Sequence, residues 1–362
     1  MSEARYAIGV DLGTTNCALS YVDLAASEGE SGQQHTMPVP QLTGPGAVEE
    51  RSLLPSFLYL PHPDEMAPGD LVLPWGAQPD FVVGELARER GAQTPIRLVS
   101  SAKSWLSHPA VDRSAAILPW GGAEDVAKVS PISASASYLA HLRAAWNHRF
   151  PAHALEAQEI VLTVPASFDE AARALTLEAA RLAGLDRLRL LEEPQAAFYD
   201  WLLRHRAGLS HALADTALVL VCDVGGGTTD LTLIRTQVDN GAPLLTRVGV
   251  GDHLMLGGDN MDLALAYTIA KRFSEKGTRL DSWQMRALWH RCRAAKEKLL
   301  AHSDSDTVPV SILGRGSSLI GGTLRTDLRR ADVEEVIVDG FFPFCNADSR
   351  PTAVQRAGIQ ET

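Results

Sequence analysis

Apolar residues come in short runs broken by glycine and proline, and the period of the runs changes along the chain. Tyr6-Ala-Ile-Gly-Val-Asp-Leu12 predicts a strand ending near Asp11. A Gly13-Thr14-Thr15 turn follows, and a second strand is predicted over Ala18–Val22. From Leu24 to Arg51 the pattern is lost among Ser, Gly, Glu, Gln and Pro, which predicts a solvent-exposed loop or strand-edge excursion. Leu53–Leu60 is again strand-like, and 61–128 reads as short elements forming a small inserted lobe. Helical spacing then places Tyr138, Leu139, Leu142, Ala145 and Trp146 on one face of a helix over 133–150.

Glu159–Pro165 reads as a strand stopped by proline. Ser167-x-x-Glu170 has the form of a capping box, with Ala172, Leu175, Ala179 and Leu182 on one helical face and Gly184 as C-terminal stop. After a strand at Leu188–Leu191, Glu193-Pro194 opens a helix, because proline suits the first turn and holds the preceding residue extended. Glu193 thus sits at a strand end, from which side chains reach ligands in α/β sheets. On spacing alone it could equally be a helix-start carboxylate favoured by the dipole. Leu218–Cys222 is a continuous apolar run, as expected of a strand covered on both faces. Thr246–Val250 and Val308–Leu313 read as strands, and Asp262–Phe273 and Arg330–Phe342 as helices. Met285, Leu288, Trp289, Cys292, Ala295 and Leu299 mark the apolar side of a long helix whose polar side carries Arg293, Lys296, Glu297 and Lys298. A last short segment is expected at Thr352–Gly358.

The chemistry concentrates in two turns. Asp223-Val-Gly-Gly-Gly-Thr-Thr-Asp230 follows the apolar run, and Leu231–Ile234 resumes an extended pattern. The glycines therefore join two strands, which excludes the dinucleotide and Walker fingerprints, since both require a helix next. Gly225, Gly226 and Gly227 let backbone N–H groups approach a ligand closely. Thr228 and Thr229 add hydroxyls, and Asp223 and Asp230 place a carboxylate at each end. That donor set suits a phosphate chain carrying Mg²⁺, although a plain glycine hairpin has the same pattern. Asp11-x-Gly13-x-Thr15 repeats the theme, which points to two related halves gripping one phosphate chain from both sides. Lys103, beside Trp105 in Ser100-Ser-Ala-Lys-Ser-Trp, would ordinarily lie on a solvated helix face.

Composition narrows the class. The 362 residues, 45% hydrophobic and 21% charged, suffice for two domains with real cores. A net charge of −11 argues against a general nucleic-acid or anionic-membrane binder. Cys17, Cys222, Cys292 and Cys345 are widely spaced without a C-x-x-C pair, which fits buried thiols in a reducing compartment. No signal-peptide progression or membrane-length apolar run is present, so a soluble cytoplasmic protein is expected.

With Gly9-Val-Asp-Leu-Gly-Thr-Thr-Asn16, Val161-Leu-Thr-Val-Pro-Ala-Ser-Phe168, Glu193-Pro-Gln-Ala-Ala197 and Asp223–Asp230 in order, the chain resembles the seventy-kilodalton heat-shock chaperones, within the actin, hexokinase and heat-shock ATPase superfamily. Gly257-Gly-Asp-Asn-Met-Asp262 and Arg293-Ala-Ala-Lys296 match more loosely. The resemblance implies a two-lobed actin-like α/β ATPase fold with a duplicated ribonuclease-H-like core and an inserted subdomain in each lobe. Lobe I would be 1–214, with its insert at about 55–128, and lobe II 215–362, with its insert at about 253–330. It further implies binding of ATP or ADP with Mg²⁺ near Asp11 and Asp223, and phosphates cradled by Gly13, Thr14, Thr15 and Gly225, Gly226, Gly227, Thr228. Lys103 would reach the γ-phosphate and Thr228 would contact it, Glu193 and Asp230 would handle the attacking water, and Gly257, Gly258 and Lys296 would meet the nucleoside side. Pro165 and Arg173 match the family's switch positions. Client polypeptides and co-chaperones would be engaged through a longer protein of which this chain is expected to be a truncated part, with this domain monomeric.

The departures are specific. Arg293, Glu297 and Leu300 stand where the family has Glu, Arg and Ser on its adenine-facing helix. Gly321-Gly-Thr-Leu-Arg325 copies the family's adenosine loop but precedes the helix that loop should follow. A small-molecule kinase of the same superfamily, or a nucleotide-sensing module with little turnover, are the competing functions.

Overall fold

The computed structural model describes residues 4–26, 32–76, 79–122, 124–213, 215–239, 242–252, 254–301, 304–314 and 322–350. Thr352–Gly358 lies outside them. The chain divides into two compact units, Met1–Met255 and Leu256–Thr362.

The first unit is built on a six-stranded sheet. Strands β1 (Tyr6–Leu12) and β2 (Asn16–Asp23) form an antiparallel hairpin in which Asp11 faces Ala18. The Leu24–Arg51 stretch is not simply exposed. It forms a hairpin of β3 (Val39–Gly44) and β4 (Ala47–Arg51), with Met37, Val39 and Leu42 buried. Both faces of β3 are covered, so no polar–apolar alternation marks it. Gln41 is buried and donates to the Leu53 carbonyl at 2.8 Å, while its Oε1 accepts the Glu85 N–H that opens helix α1 (Glu85–Gln93). Around α1, Phe57, Tyr59, Leu73, Val82 and Leu98 make a small satellite core. Helix α2 (Ala102–Trp105) follows.

Helix α3 (Pro131–Arg149) carries the expected face, and its five apolar residues are all buried against the sheet. His141, on the same helix, donates to the Pro40 carbonyl at 2.9 Å and so fastens β3 to α3. Burial pushes its imidazole down to about 4, against a weaker pull from that bond. The unfolded chain then binds the proton more readily, so this contribution to stability is full above about pH 6.5 and is lost as pH falls towards 4. Urea unfolding at pH 7 and pH 5 should show His141→Gln avoiding an acid loss of about 2 kcal/mol that the wild type carries.

Strand β5 (Glu159–Val164) lies parallel to β1, and β6 (Arg189–Glu192) lies parallel to β5. They are joined by helix α4 (Glu170–Leu182), whose cap is Asp169 rather than Ser167. The Asp169 carboxylate accepts the Ala172 N–H at 2.7 Å and also pairs with Arg113 at 3.0 Å. A charged cap bound to a distant arginine places the start two residues later than the capping box predicts. Leu182 is exposed, and Thr176 and Ala180 are buried in its stead beside Ala172 and Ala179. Gly184 ends the helix as expected, at φ +80°, with Gly184 N–H on Arg181 O and Leu185 N–H on Ala180 O. Helix α5 (Glu193–Arg204) starts directly from β6.

The second glycine turn joins β7 (Leu218–Val224) and β8 (Thr229–Asp239), paired antiparallel so that Asp223 faces Asp230. Strand β9 (Ala242–Val250) extends this sheet. Phe198 and Tyr199 of α5 line one small cavity with Ile234, Leu245 and Arg247 of this sheet. Leu218, Leu220 and Val224 are exposed among the described residues, so β7 is not covered on both sides as its apolar run predicts.

In the second unit, helices α6 (Gly258–Glu275) and α7 (Ser282–Ala301) pack on a hairpin of β10 (Thr307–Leu313) and β11 (Thr323–Arg329). β11 is not foreseen in the sequence; Arg325 lies within it, so this arginine belongs to a strand paired with β10. Among the described residues, no helix is long and apolar enough to cross a membrane.

Candidate functional site

The two glycine turns face one cavity of about 490 Å³ in the first unit. Asp11, Gly13, Thr14 and Thr15 from the first turn line it together with Asp223, Gly225, Gly226 and Thr228 from the second. Lys103 and Glu193 also line it. These residues come from both ends of the first unit's sequence, and only the sheets bring them together.

The first turn is pinned from outside. Ser56 donates through its hydroxyl to the Gly13 carbonyl at 2.7 Å, and its N–H donates to the Thr15 carbonyl at 2.9 Å. A Cβ on Gly13 would stand 2.2 Å from the Asn16 carbonyl oxygen. Across the cavity, a Cβ on Gly226 would stand 2.0 Å from Thr15 Oγ1, and one on Gly227 would stand 2.1 Å from Ser104 Oγ. Gly13 is confined by the backbone of its own turn, whereas Gly226 and Gly227 face the hydroxyl tips of Thr15 and Ser104, which can move. The Gly225 N–H closes the second turn on Thr228 O at 2.8 Å, and the glycine backbone and the Thr14 and Thr15 side chains line the space between the turns.

Lys103 is buried, not solvated, and its ammonium pairs with Glu193. Burial works against the charged ammonium, but Glu193 and Asp11 outweigh it and hold the lysine pKa above its usual value. Burial drives the Glu193 carboxyl up to about 7; Lys103 opposes this, and Asp11 and Asp223 add to it. Burial, followed by the neighbouring Asp230, also raises Asp223. Beneath the second turn, Thr228 donates to Asp230 Oδ2 at 3.1 Å, while Asp230 Oδ1 is buried without a protein partner. Among the described residues, negative charge thus gathers around the cavity with Lys103 as the one cation lining it, and one carboxylate oxygen is left for a donor or for water.

Glu193 gains protons on folding, so its effect on stability runs opposite to that of His141. The contribution is full below about pH 4.5 and is lost as pH rises through 7. A Glu193→Gln variant should therefore resist alkaline destabilisation between pH 5 and pH 8, read as urea midpoints beside the wild type.

Sequence reasoning misses Thr163, whose hydroxyl donates to Asp11 Oδ1 at 2.8 Å and which lines the same cavity. Its signal was the β5 run itself, which lies beside β1 in parallel register. Of the remaining expected site residues, Gly257, Gly258 and Lys296 belong to the second unit. Gly257 precedes α6, and its N–H is held by Asn260 Oδ1 at 2.9 Å. Lys296 pairs with Asp262 at 2.6 Å. Arg293 is buried rather than solvated, ion-paired with Asp259 and bonded to Asp262 at 2.7 Å. Aspartates on the facing helix α6 draw this arginine inward, a partnership that helical periodicity on α7 does not show.

The first unit thus holds two glycine turns that meet beside a buried lysine and several carboxylates. Comparison with known proteins gives the family: the profile described as Hsp70 protein matches residues 78–346, and the chain belongs to the Hsp70 family. It corresponds to the nucleotide-binding region of that family. It is similar to the chaperone protein HscA of Salmonella paratyphi C, 33% identical over 86% of this chain and 44% of the relative. A chaperone protein HscA homolog of Pseudomonas paraeruginosa is 31% identical over 92% of this chain and 46% of the relative. The chain therefore spans less than half the length of these curated relatives.

Proposed function

We propose that this chain is an ATP-binding and ATP-hydrolysing unit of a heat-shock-type chaperone, with the two glycine turns as the jaws of its phosphate clamp. The observation that carries the reading is the single cavity holding both turns, Lys103 and Glu193. On this reading β1–β2 and β7–β8 are the equivalent hairpins of two related lobes in an actin-like fold. Backbone N–H groups of 13–15 and 226–228 bind the phosphate oxygens and the Thr14 and Thr15 hydroxyls orient them, while the Gly225 N–H and the Thr228 hydroxyl hold the second turn in shape through Thr228 O and Asp230. Among the described residues, no three His, Cys, Asp or Glu side chains converge to ligate an ion directly. Asp11 and Asp223 would hold Mg²⁺ largely through water, in keeping with an ion reluctant to dehydrate. The metal would supply charge neutralisation between phosphates. Lys103 offsets the charge that develops on the transferred phosphoryl group. Glu193, titrating near neutrality, accepts a proton from a water that Asp230 helps to orient.

In a chaperone of this type, client polypeptides and co-chaperones would be engaged according to nucleotide state, with Pro165 and Arg173 coupling that state to client binding. One observation favours a nucleotide-sensing module with little turnover: Arg293 and Lys296 are both committed to aspartates of their own unit. Single-turnover release of phosphate from ATP with Mg²⁺ separates the two. Hydrolysis abolished by EDTA supports the ATPase; tight binding without phosphate release supports the sensor. Absence of binding in calorimetry would sink both.

A further inference from the structure

Directly before Glu193 stands a second glutamate with a different set of partners. Glu192 ends β6, caps α5, and its side chain is only 11% exposed. Its Oε1 accepts from two guanidiniums: Arg173 of α4 at 2.9 Å, and Arg247 of β9. Its Oε2 is buried without a partner. Arg173 also donates to the Phe168 carbonyl at 3.2 Å, which ties the turn after Pro165 to the same carboxylate. Arg247 faces Ile234 of β8, the strand that begins beside the glycine turn and carries Asp230.

We propose that Arg247 and Glu192 are positioning residues for hydrolysis, tying the β8–β9 sheet to the peptide that carries Glu193. This inference rests on the ATPase reading above. Glu192 and Glu193 are consecutive at a strand-to-helix corner, so a turn of the Glu192 peptide swings the Glu193 carboxylate relative to Lys103. The cavity wall with Asp223 and Thr228 belongs to the β7–β9 sheet and its glycine turn, and the wall with Glu193 belongs to α5, which starts directly from β6. The Arg247–Glu192 ion pair joins β9 of that sheet to the end of β6. A partly exposed guanidinium contributes little to global stability, since solvent screens it. An error of about 1 Å in a group that handles the reacting water costs far more in rate, up to about 10²-fold. Arg173 keeps Glu192 paired when Arg247 is removed, so the fold should survive that change.

The test compares Arg247→Ala and Arg247→Lys with the wild-type chain. Arg247→Ala should lower the single-turnover rate about 10-fold, with ADP affinity by calorimetry within about two-fold and a melting temperature within about 2 °C. Arg247→Lys, which keeps the charge, should recover most of the rate. The crystal structure of ligand-free Arg247→Ala should show Glu193 displaced from Lys103. An unchanged rate overturns the proposal, as does a loss that tracks affinity and melting temperature without recovery in Arg247→Lys. If the wild type itself hydrolyses no ATP, the ATPase reading fails, and the ligand-free structure still decides: Glu193 in place overturns the positioning role, and Glu193 displaced supports it.

Discussion

Replacing Lys103 with methionine should lower ATP hydrolysis by about 10²- to 10³-fold while nucleotide affinity changes far less. The size follows from where the ammonium sits. It is buried in the cavity wall, so its charge acts through little intervening water, and the transferred phosphoryl group is where negative charge must be offset. Removing one partner of a buried ion pair ordinarily costs about 3–5 kcal/mol. Here Glu193 already titrates at about 7, so it takes up a proton in place of its lost partner and the fold survives at pH 6. The stability penalty of Lys103→Met should therefore grow between pH 6 and pH 8, seen as a falling melting temperature. Turnover equal to the wild type would remove Lys103 from the chemistry and leave it a structural counter-ion.

Gly13→Ala should reduce affinity for ADP by about 100-fold, equivalent to about 3 kcal/mol. The added Cβ meets a backbone oxygen, Asn16 O, which cannot rotate away as a side chain would. Ser56 clamps the same turn through both Gly13 O and Thr15 O, so it cannot relax outward without breaking those bonds. Gly226→Ala should be milder, about 10-fold, because its first clash is with the Thr15 hydroxyl, which can change rotamer. Gly208, whose Cβ position is open, provides the control: Gly208→Ala should bind ADP as the wild type does. Calorimetric titration of the three variants orders the effects, and equal affinity in all of them would separate the turns from phosphate binding.

Much of the arrangement is legible in the residues because it is local. Glycines between extended runs mark both hairpins, Pro194 fixes the strand-to-helix corner at Glu193, and the Tyr138–Trp146 periodicity places α3. What escapes a linear reading depends on distant partners. Lys103 looks like a surface lysine until Glu193 is folded beside it, and Arg293 looks solvated until Asp259 and Asp262 face it from α6. Met37–Leu42 lacks alternation because α1 and α3 contribute to covering both sides of the strand, and His141 shows its role only through Pro40. Asp169 displaces Ser167 as the cap because its carboxylate is also held by Arg113. The apolar run at Leu218–Cys222 predicts two covered faces, yet Leu218, Leu220 and Cys222 are exposed. Composition and periodicity register how much is buried; they do not register which element does the burying.

The most direct test of the phosphate clamp is a crystal structure of the full chain with Mg²⁺ and a non-hydrolysable ATP analogue. The account requires the phosphates between residues 13–15 and 225–228, the ion on the side of Asp11 and Asp223, and Lys103 Nζ turned towards the γ-phosphate. An analogue bound away from the two glycine turns, or a cavity that remains filled only by water at saturating analogue, would contradict it.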